Sequence, residues 1–325
     1  MTPKSPRERS GPVGQPASKR GLPSTGAIAP ELLARVRQVH LKTHRLVNTA
    51  LAGSYRSTFR GQGIEFEEVR PYIPGDDVRT IDWNVTARTG EAYVKTYREE
   101  RELAVHLIVD TGLPMDFGTR RWTKREAAAQ FAGLLALVAL RHQDRVGLTL
   151  FGPEVGLHLP AGKGRQHALR LIREVLAVPA AREESDLEQV LRFTGRVLQR
   201  RSLVFLVSDF LAAEKGGAWT EELARLGRRH DVIAVRVVDP LEEELPDVGL
   251  LCLRGISDGG VVEIDTHARA VREAWERAAR ARREAVHAAL TQARIDRFDL
   301  RIDRDLAAPL VEFFRRRALS RGHAP

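Results

Sequence analysis

LAVHLIVD, residues 103–110, is a short apolar run interrupted only by His106, closed by Asp110 and preceded by the charged stretch Arg98 to Glu102. A strand with one wet face alternates apolar and polar residues, whereas near-continuous apolar character marks a strand covered on both faces, as in a parallel sheet. SLVFLVSD, 202–209, repeats the pattern and again ends in aspartate. The chain between and around these two runs alternates strand and helix patterns. A helix over about 122–142 carries Phe131, Leu134, Leu135, Val138 and Ala139 on one face. Strands follow at 145–151 and 155–159, helices at 164–177 and 186–200, a helix at 219–229 and a strand at 231–239. This order predicts βαβ units, hence an α/β fold with a doubly wound, mostly parallel sheet and helices on both faces.

Beyond Pro240, strands near 250–254 and 261–264 suit an edge hairpin around Asp258-Gly259-Gly260. A helix over 266–294, the extended FDLRID and an amphipathic helix over 306–317 with Leu306, Leu310, Val311 and Phe314 complete the domain. Upstream, residues 1–29 are rich in Pro, Gly and Ser without apolar periodicity, which predicts a disordered leader. Helical spacing runs from Pro30 to residue 51. Residues 54–100 change to short extended pieces and turns dense in Gly, Arg and Asp. Phe59, Phe66, Tyr72, Trp83, Tyr93 and Tyr97 are enough aromatics to pack a small, β-rich, insertion-like subdomain. The organisation expected is therefore a leader 1–29, an N-terminal helix and subdomain 30–100, a main domain 101–317 and a tail 318–325.

A chain of 325 residues, 43% hydrophobic, is long enough to bury one large core and a satellite. Its longest apolar stretch, Phe131 to Leu140, falls short of the roughly 20 residues that span a bilayer. The first residues carry charge and proline in place of an apolar signal core, so a cytoplasmic location is expected. Cys252 is the sole cysteine, which excludes an internal disulfide and a thiolate zinc site. The net charge of +9 permits attraction to nucleic acid or acidic partners without selecting one.

In open α/β sheets ligands sit beyond the carboxyl ends of the strands, so Asp110 and Asp209 form the first candidate site. Two strand-end carboxylates held close together suit a hard cation such as Mg²⁺. The second candidate is the segment GxGxEFxExRxYxxGDDxRxIDWxxTAR, which reads Gly61, Gly63, Glu65, Phe66, Glu68, Arg70, Tyr72, Gly75, Asp76, Asp77, Arg79, Ile81, Asp82, Trp83, Thr86, Ala87 and Arg88. Its bland reading is a charged network, with Arg70 and Arg79 paired to Asp77 and Asp82 and Trp83 as apolar anchor. A rigid charged loop is also a docking surface.

This segment closely resembles the bacterial domain of unknown function 58 family, and the resemblance runs over roughly residues 30–317. That family is similar to von Willebrand factor A domains, whose metal-ion-dependent adhesion site uses an Asp-x-Ser-x-Ser strand end, a threonine from a second loop and an aspartate from a third. The resemblance implies that Asp110 matches the first aspartate, Ser185 stands in the threonine's place and Asp209 matches the third-loop aspartate. The first loop departs: Gly112 and Pro114 stand where the two serines belong, leaving Thr111, Asp116, a carbonyl or water as partial substitutes. The site is thus degenerate, with weak or absent Mg²⁺ affinity expected. A competing reading makes Asp110 and Ser185 mere caps or terminators of elements.

Other motifs carry little. Gly61-Gln62-Gly63 lacks the third glycine of a dinucleotide fingerprint, Gly162-Lys163-Gly164 lacks the hydroxyl of a phosphate loop, and the His40/His44 pair lacks a metalloprotease glutamate. No serine elbow is present. The reading that results is a non-enzymatic, protein-binding adaptor without a firm cofactor. The resemblance implies a MoxR-type AAA+ ATPase as partner in remodelling or activating client proteins. A basic nucleic-acid-associated factor ranks second, because the arginine-rich helix 266–294 offers only Trp275 as a stacking platform. A metal-dependent hydrolase built on Asp110, Asp116 and Asp209 ranks last.

Overall fold

A computed structural model describes residues 34, 52–55, 65–98, 103–120, 122–179, 181, 183–211, 213, 218–255 and 259–322. The leader, most of the helix expected over 30–51, and Gly61 and Gly63 lie outside the described residues.

The main sheet has six strands. In chain order they are β3 (Ala104–Asp110), β4 (Arg145–Phe151), β5 (Val155–Gly162), β6 (Leu203–Ser208), β7 (Asp231–Val238) and β10 (Asp296–Arg301), counting β1 (Glu65–Pro71) and β2 (Tyr93–Arg98) upstream and β8 (Leu250–Arg254) and β9 (Val261–Asp265) between. Their spatial order is β10-β7-β6-β3-β4-β5. All neighbours are parallel except β5, which pairs antiparallel with β4. The two most apolar runs, β3 and β6, are adjacent at the centre, where both faces are covered. This is the doubly wound, mostly parallel sheet that the sequence implied.

Successive side chains of a strand point to opposite faces, and the core divides accordingly. Val105, Leu107 and Val109 of β3 belong to the core with α2 (Lys124–Arg141), α3 (Arg165–Ala177) and α8 (Ala307–Gly322), while Ile108 faces α4 (Leu187–Val197), α5 (Trp219–Arg229) and α7 (Arg269–Gln292). Helix α2 is buried almost all round, consistent with its nearly unbroken apolar sequence. Its start is set by a capping box in which Thr123 and Glu126 bond each other's backbone N–H groups. Tyr55 anchors residues 52–55 to the main domain: its buried ring stacks on His142, and its hydroxyl donates to Asp144 over 3.1 Å.

Three expectations change. The 250–265 hairpin is not an edge of the main sheet but a separate ribbon of β8 and β9, with Leu250, Val261 and Val262 exposed. The edge is taken instead by β10, because the crossover through α7 returns the chain parallel to β7 and Phe298 and Leu300 turn inward. The 65–98 region holds one antiparallel pair, β1 with β2, and between them a 3-10 turn at Val78–Thr80 and a short helix, α1 (Trp83–Thr89). Trp83 does not anchor that region, since it is 69% exposed. No helix of the described residues is long and apolar enough to cross a membrane.

Candidate functional site

The carboxyl ends of β3, β6 and β7 bring Asp110, Ser208, Asp209 and Asp239 to one end of the sheet, and the loop before α4 adds Ser185. Asp110 is buried and fully engaged. One oxygen accepts from the Gly112 N–H at 2.8 Å and from the Ser185 hydroxyl in a short bond, and the other accepts from the Ser208 hydroxyl at 2.6 Å. Burial, reinforced by the nearby Asp209 charge, pushes the Asp110 carboxyl up to about 6 against the pull of these three donors. Neither Asp110 nor Ser185 caps a helix; the cap of α4 is Asp186.

The first-loop glycine follows from this closure. A Cβ built at Gly112 would lie 2.1 Å from the Ser185 hydroxyl oxygen and 3.1 Å from an Asp110 oxygen. Serine in that place and the Ser185–Asp110 bond are mutually exclusive as the chain stands.

Asp209 is engaged from inside the protein. It accepts from the Leu211 N–H at 3.0 Å and from the Lys124 ammonium at 2.7 Å. Phe210 between them holds φ at 60°, a left-handed conformation rare for a bulky residue, with its ring buried beside Trp219. Lys124 is the first residue of α2, has no solvent exposure, and is bound by Glu242 as well as Asp209. Glu242 lies on α6 (Pro240–Glu243), whose cap Asp239 also accepts from the Thr119 N–H and hydroxyl, both at 2.6 Å. Burial is the largest influence on Lys124 and disfavours its charge, yet the two carboxylates together hold its pKa above the ordinary lysine value.

The substitutes considered for the missing serines are likewise occupied. The Thr111 hydroxyl donates to the Phe151 carbonyl at 2.8 Å, and Asp116 is ion-paired with Arg125 at 2.7 Å. A divalent cation between Asp110 and Asp209 would have to break these bonds and approach a buried ammonium of like charge. The residues present do not fit a Mg²⁺ site, and no group of three or more acidic, histidine or cysteine side chains able to hold a metal occurs among the described residues.

The second candidate segment is not a buried network. Arg70 forms a two-pronged pair with Asp76, at 2.7 and 2.8 Å, rather than with Asp77 or Asp82. Asp77 caps the 3-10 turn by accepting from the Arg79 N–H, and Asp82 caps α1 and pairs with Lys95. Gly75, at φ 111°, supplies a conformation other residues rarely adopt. Glu65 and Phe66 lie on β1. The turns thus fixed leave Ile73, Val78 and Trp83 exposed. Sequence reasoning missed Lys124, Ser208, Glu242 and Asp239. The available signal was Lys124 itself, a cation at a helix N-terminus where the macrodipole favours anions.

The family described as "Protein of unknown function DUF58" matches residues 68–285. An uncharacterized protein of Mycobacterium tuberculosis is 34% identical over 298 residues, covering 90% of this chain and 93% of its own. Among solved structures, an aerotolerance-related membrane protein from Bacteroides fragilis is similar at a TM-score of 0.45 and 14% identity over 67% of this chain and 99% of its own. The SpRpn10 VWA domain is similar at a TM-score of 0.37 and 10% identity over 65% and 94%.

Proposed function

The chain belongs to the DUF58 family, and from that membership we propose that it is a non-enzymatic adaptor that docks a protein partner without a metal ion. The observation that carries the docking role is the exposure of Trp83, with Ile73 and Val78, on turns held by Asp76, Asp77 and Asp82. Large apolar side chains on a braced surface are what hot spots of protein interfaces are made of.

Metal independence rests on the sheet end. In a complete adhesion site a partner's carboxylate finishes the shell of a divalent cation. Here the Lys124 ammonium supplies positive charge from within, and Asp110 is closed off by Ser185 and Ser208. The partner recognises shape and surface charge instead. The partner class we propose, on the family resemblance, is a MoxR-type AAA+ ATPase acting on client proteins.

The test is affinity capture of the tagged full chain with the cognate ATPase, with and without EDTA. Retention of the complex in chelator is expected, and its loss on chelation contradicts the reading. A thermal shift on millimolar Mg²⁺ would contradict it independently.

A further inference from the structure

We propose that the cleft between α4 and α5 is a docking groove for an acidic peptide segment of a partner protein. The proposal rests on the adaptor reading and adds where, and by what chemistry, a partner is held.

The cleft has a volume of about 470 Å³ and is lined by Arg192 and Arg196 from α4 and Arg225 and Arg229 from α5, against a single carboxylate, Glu222. Four positive charges against one negative leave three in excess over the lining. Glu188, outside the lining, is bound to Arg192 and lowers that to two. Arg229 gives its donors to the carbonyls of Gly195 and Leu198, so its charge meets only neutral groups while its guanidinium is fixed across the cleft. Arg196 is exposed and has no ion-pair partner among the described residues. Like charges converging on one cleft repel, and an anionic ligand relieves that repulsion.

One carboxylate of the chain itself already stands among these arginines. Glu222, almost fully buried, sits 3.0 Å from Arg225 and 3.6 Å from Arg192, so carboxylate is the anion these guanidiniums are arranged around. A Cβ built on Gly195 meets nothing within 4 Å, so the space beside it is open. The lining runs from Leu191 to Arg196 on α4 and from Glu222 to Arg229 on α5, stretches of about 8–10 Å and enough for roughly three extended residues. Among the lining residues none is aromatic, so bases would find no stacking platform, which favours an acidic peptide over a single-stranded nucleic acid. Arg200, Arg201 and Arg228 are exposed near the helix ends and add to the attraction at longer range.

The test uses fluorescein-labelled octaglutamate and the full chain, read by fluorescence anisotropy at low and physiological salt, with oligo-dT as comparator. Saturable octaglutamate binding that weakens with salt is expected. R196E/R225E should weaken it by about tenfold or more, and Gly195→Glu should act in the same direction. R269E/R277E, on the exposed start of α7, should leave it within about twofold. Circular dichroism and melting curves establish that each variant folds, and because the substituted arginines are exposed their loss spares the core. No saturable binding by the wild type, equal affinity of R196E/R225E and the wild type, or an equal loss in R269E/R277E overturns the groove. Tighter binding of oligo-dT that R196E/R225E abolishes overturns it in favour of a nucleic-acid surface. Captured ATPase that survives R196E/R225E also overturns the groove while leaving the adaptor reading intact. Octaglutamate binding without any ATPase capture removes the adaptor's proposed partner and leaves the groove.

Discussion

Replacing Lys124 by methionine keeps the length of the buried stem and removes only the ammonium, so it isolates the charge at the sheet end. Lys124 has no solvent exposure and holds both Asp209 and Glu242. Breaking a buried pair by deleting one partner leaves an uncompensated charge and costs about 3–5 kcal/mol. At about 2–4 °C per kcal/mol for a large domain, the melting temperature should fall by roughly 6–20 °C. The loss has a pH signature. Burial already holds the Glu242 carboxyl above its ordinary value against the pull of Lys124, so without the ammonium Glu242 takes up a proton more readily than in the unfolded chain. Its penalty is absent below the unfolded carboxylate pKa and grows as pH rises through the folded one, so Lys124→Met should approach the wild type near pH 4 and diverge from it by pH 7. Adding Glu242→Gln to Lys124→Met should return part of the stability, because one of the two stranded charges is gone. Urea denaturation of the three proteins at pH 4 and 7 measures all of this. A Lys124→Met loss under about 1 kcal/mol at pH 7, or one independent of pH, would falsify the claim that this ammonium neutralises the sheet end.

Gly112→Ala forces a methyl group against the Ser185 hydroxyl at 2.1 Å and should cost about 1–3 kcal/mol. Gly112→Ala combined with Ser185→Ala should cost less than the sum of the two, and strict additivity in a denaturation cycle would show that the closure is not what requires glycine. His106, buried with one ring nitrogen bonded to Thr149 and the other unpartnered, is pushed down to about 3 by burial and then by the charges of His158 and His230. The folded value lies below the unfolded one, so its contribution is complete above about pH 6.5 and is lost as pH falls toward 3, by as much as ~5 kcal/mol. Stability of His106→Gln measured across that range should decline less than that of the wild type; parallel curves would contradict the assignment. Trp83→Ala should change stability by no more than about 0.5 kcal/mol, because the ring is exposed, yet abolish capture of the partner. Undiminished capture would remove the Trp83 surface from the interface.

The layers of the fold were legible because burial on both faces leaves a local trace. LIVD at 107–110 and LVFLVSD at 203–209 carry no alternation, and that alone puts both strands at the centre of a covered sheet. The edge was harder to read. LLCLR and VVEID carry strand composition equal to that of FDLR, but which segment joins the sheet depends on the path of the chain after α7, and strand composition does not encode that path. Trp83 misled for a related reason: aromatic residues are usually drawn inside, yet it stands exposed at the first position of α1 after the Asp82 cap, and composition does not encode which way that turn faces.

The sheet end divides the same way between local and assembled information. Asp110 and Asp209 stood out as strand-terminating carboxylates, and Gly112 as the residue replacing a serine. Lys124 reads locally as a surface lysine, since TKRE at 123–126 is a capping box and the first turn of a helix is usually wet. Only assembly brings Glu242, over a hundred residues away, and Asp209 onto its ammonium. Yet that lysine opposes the helix dipole, and a local conflict of this kind persists only where something distant compensates it. Gly112, Ser185 and Lys124 therefore belong to one solution: glycine admits the Ser185 hydroxyl to Asp110, the hydroxyls of Ser185 and Ser208 satisfy that carboxylate, and the ammonium supplies the charge that Asp209 requires. Restoring serine at 112 alone should thus break the closure without creating a cation site, because the like charge of Lys124 would still stand beside Asp209.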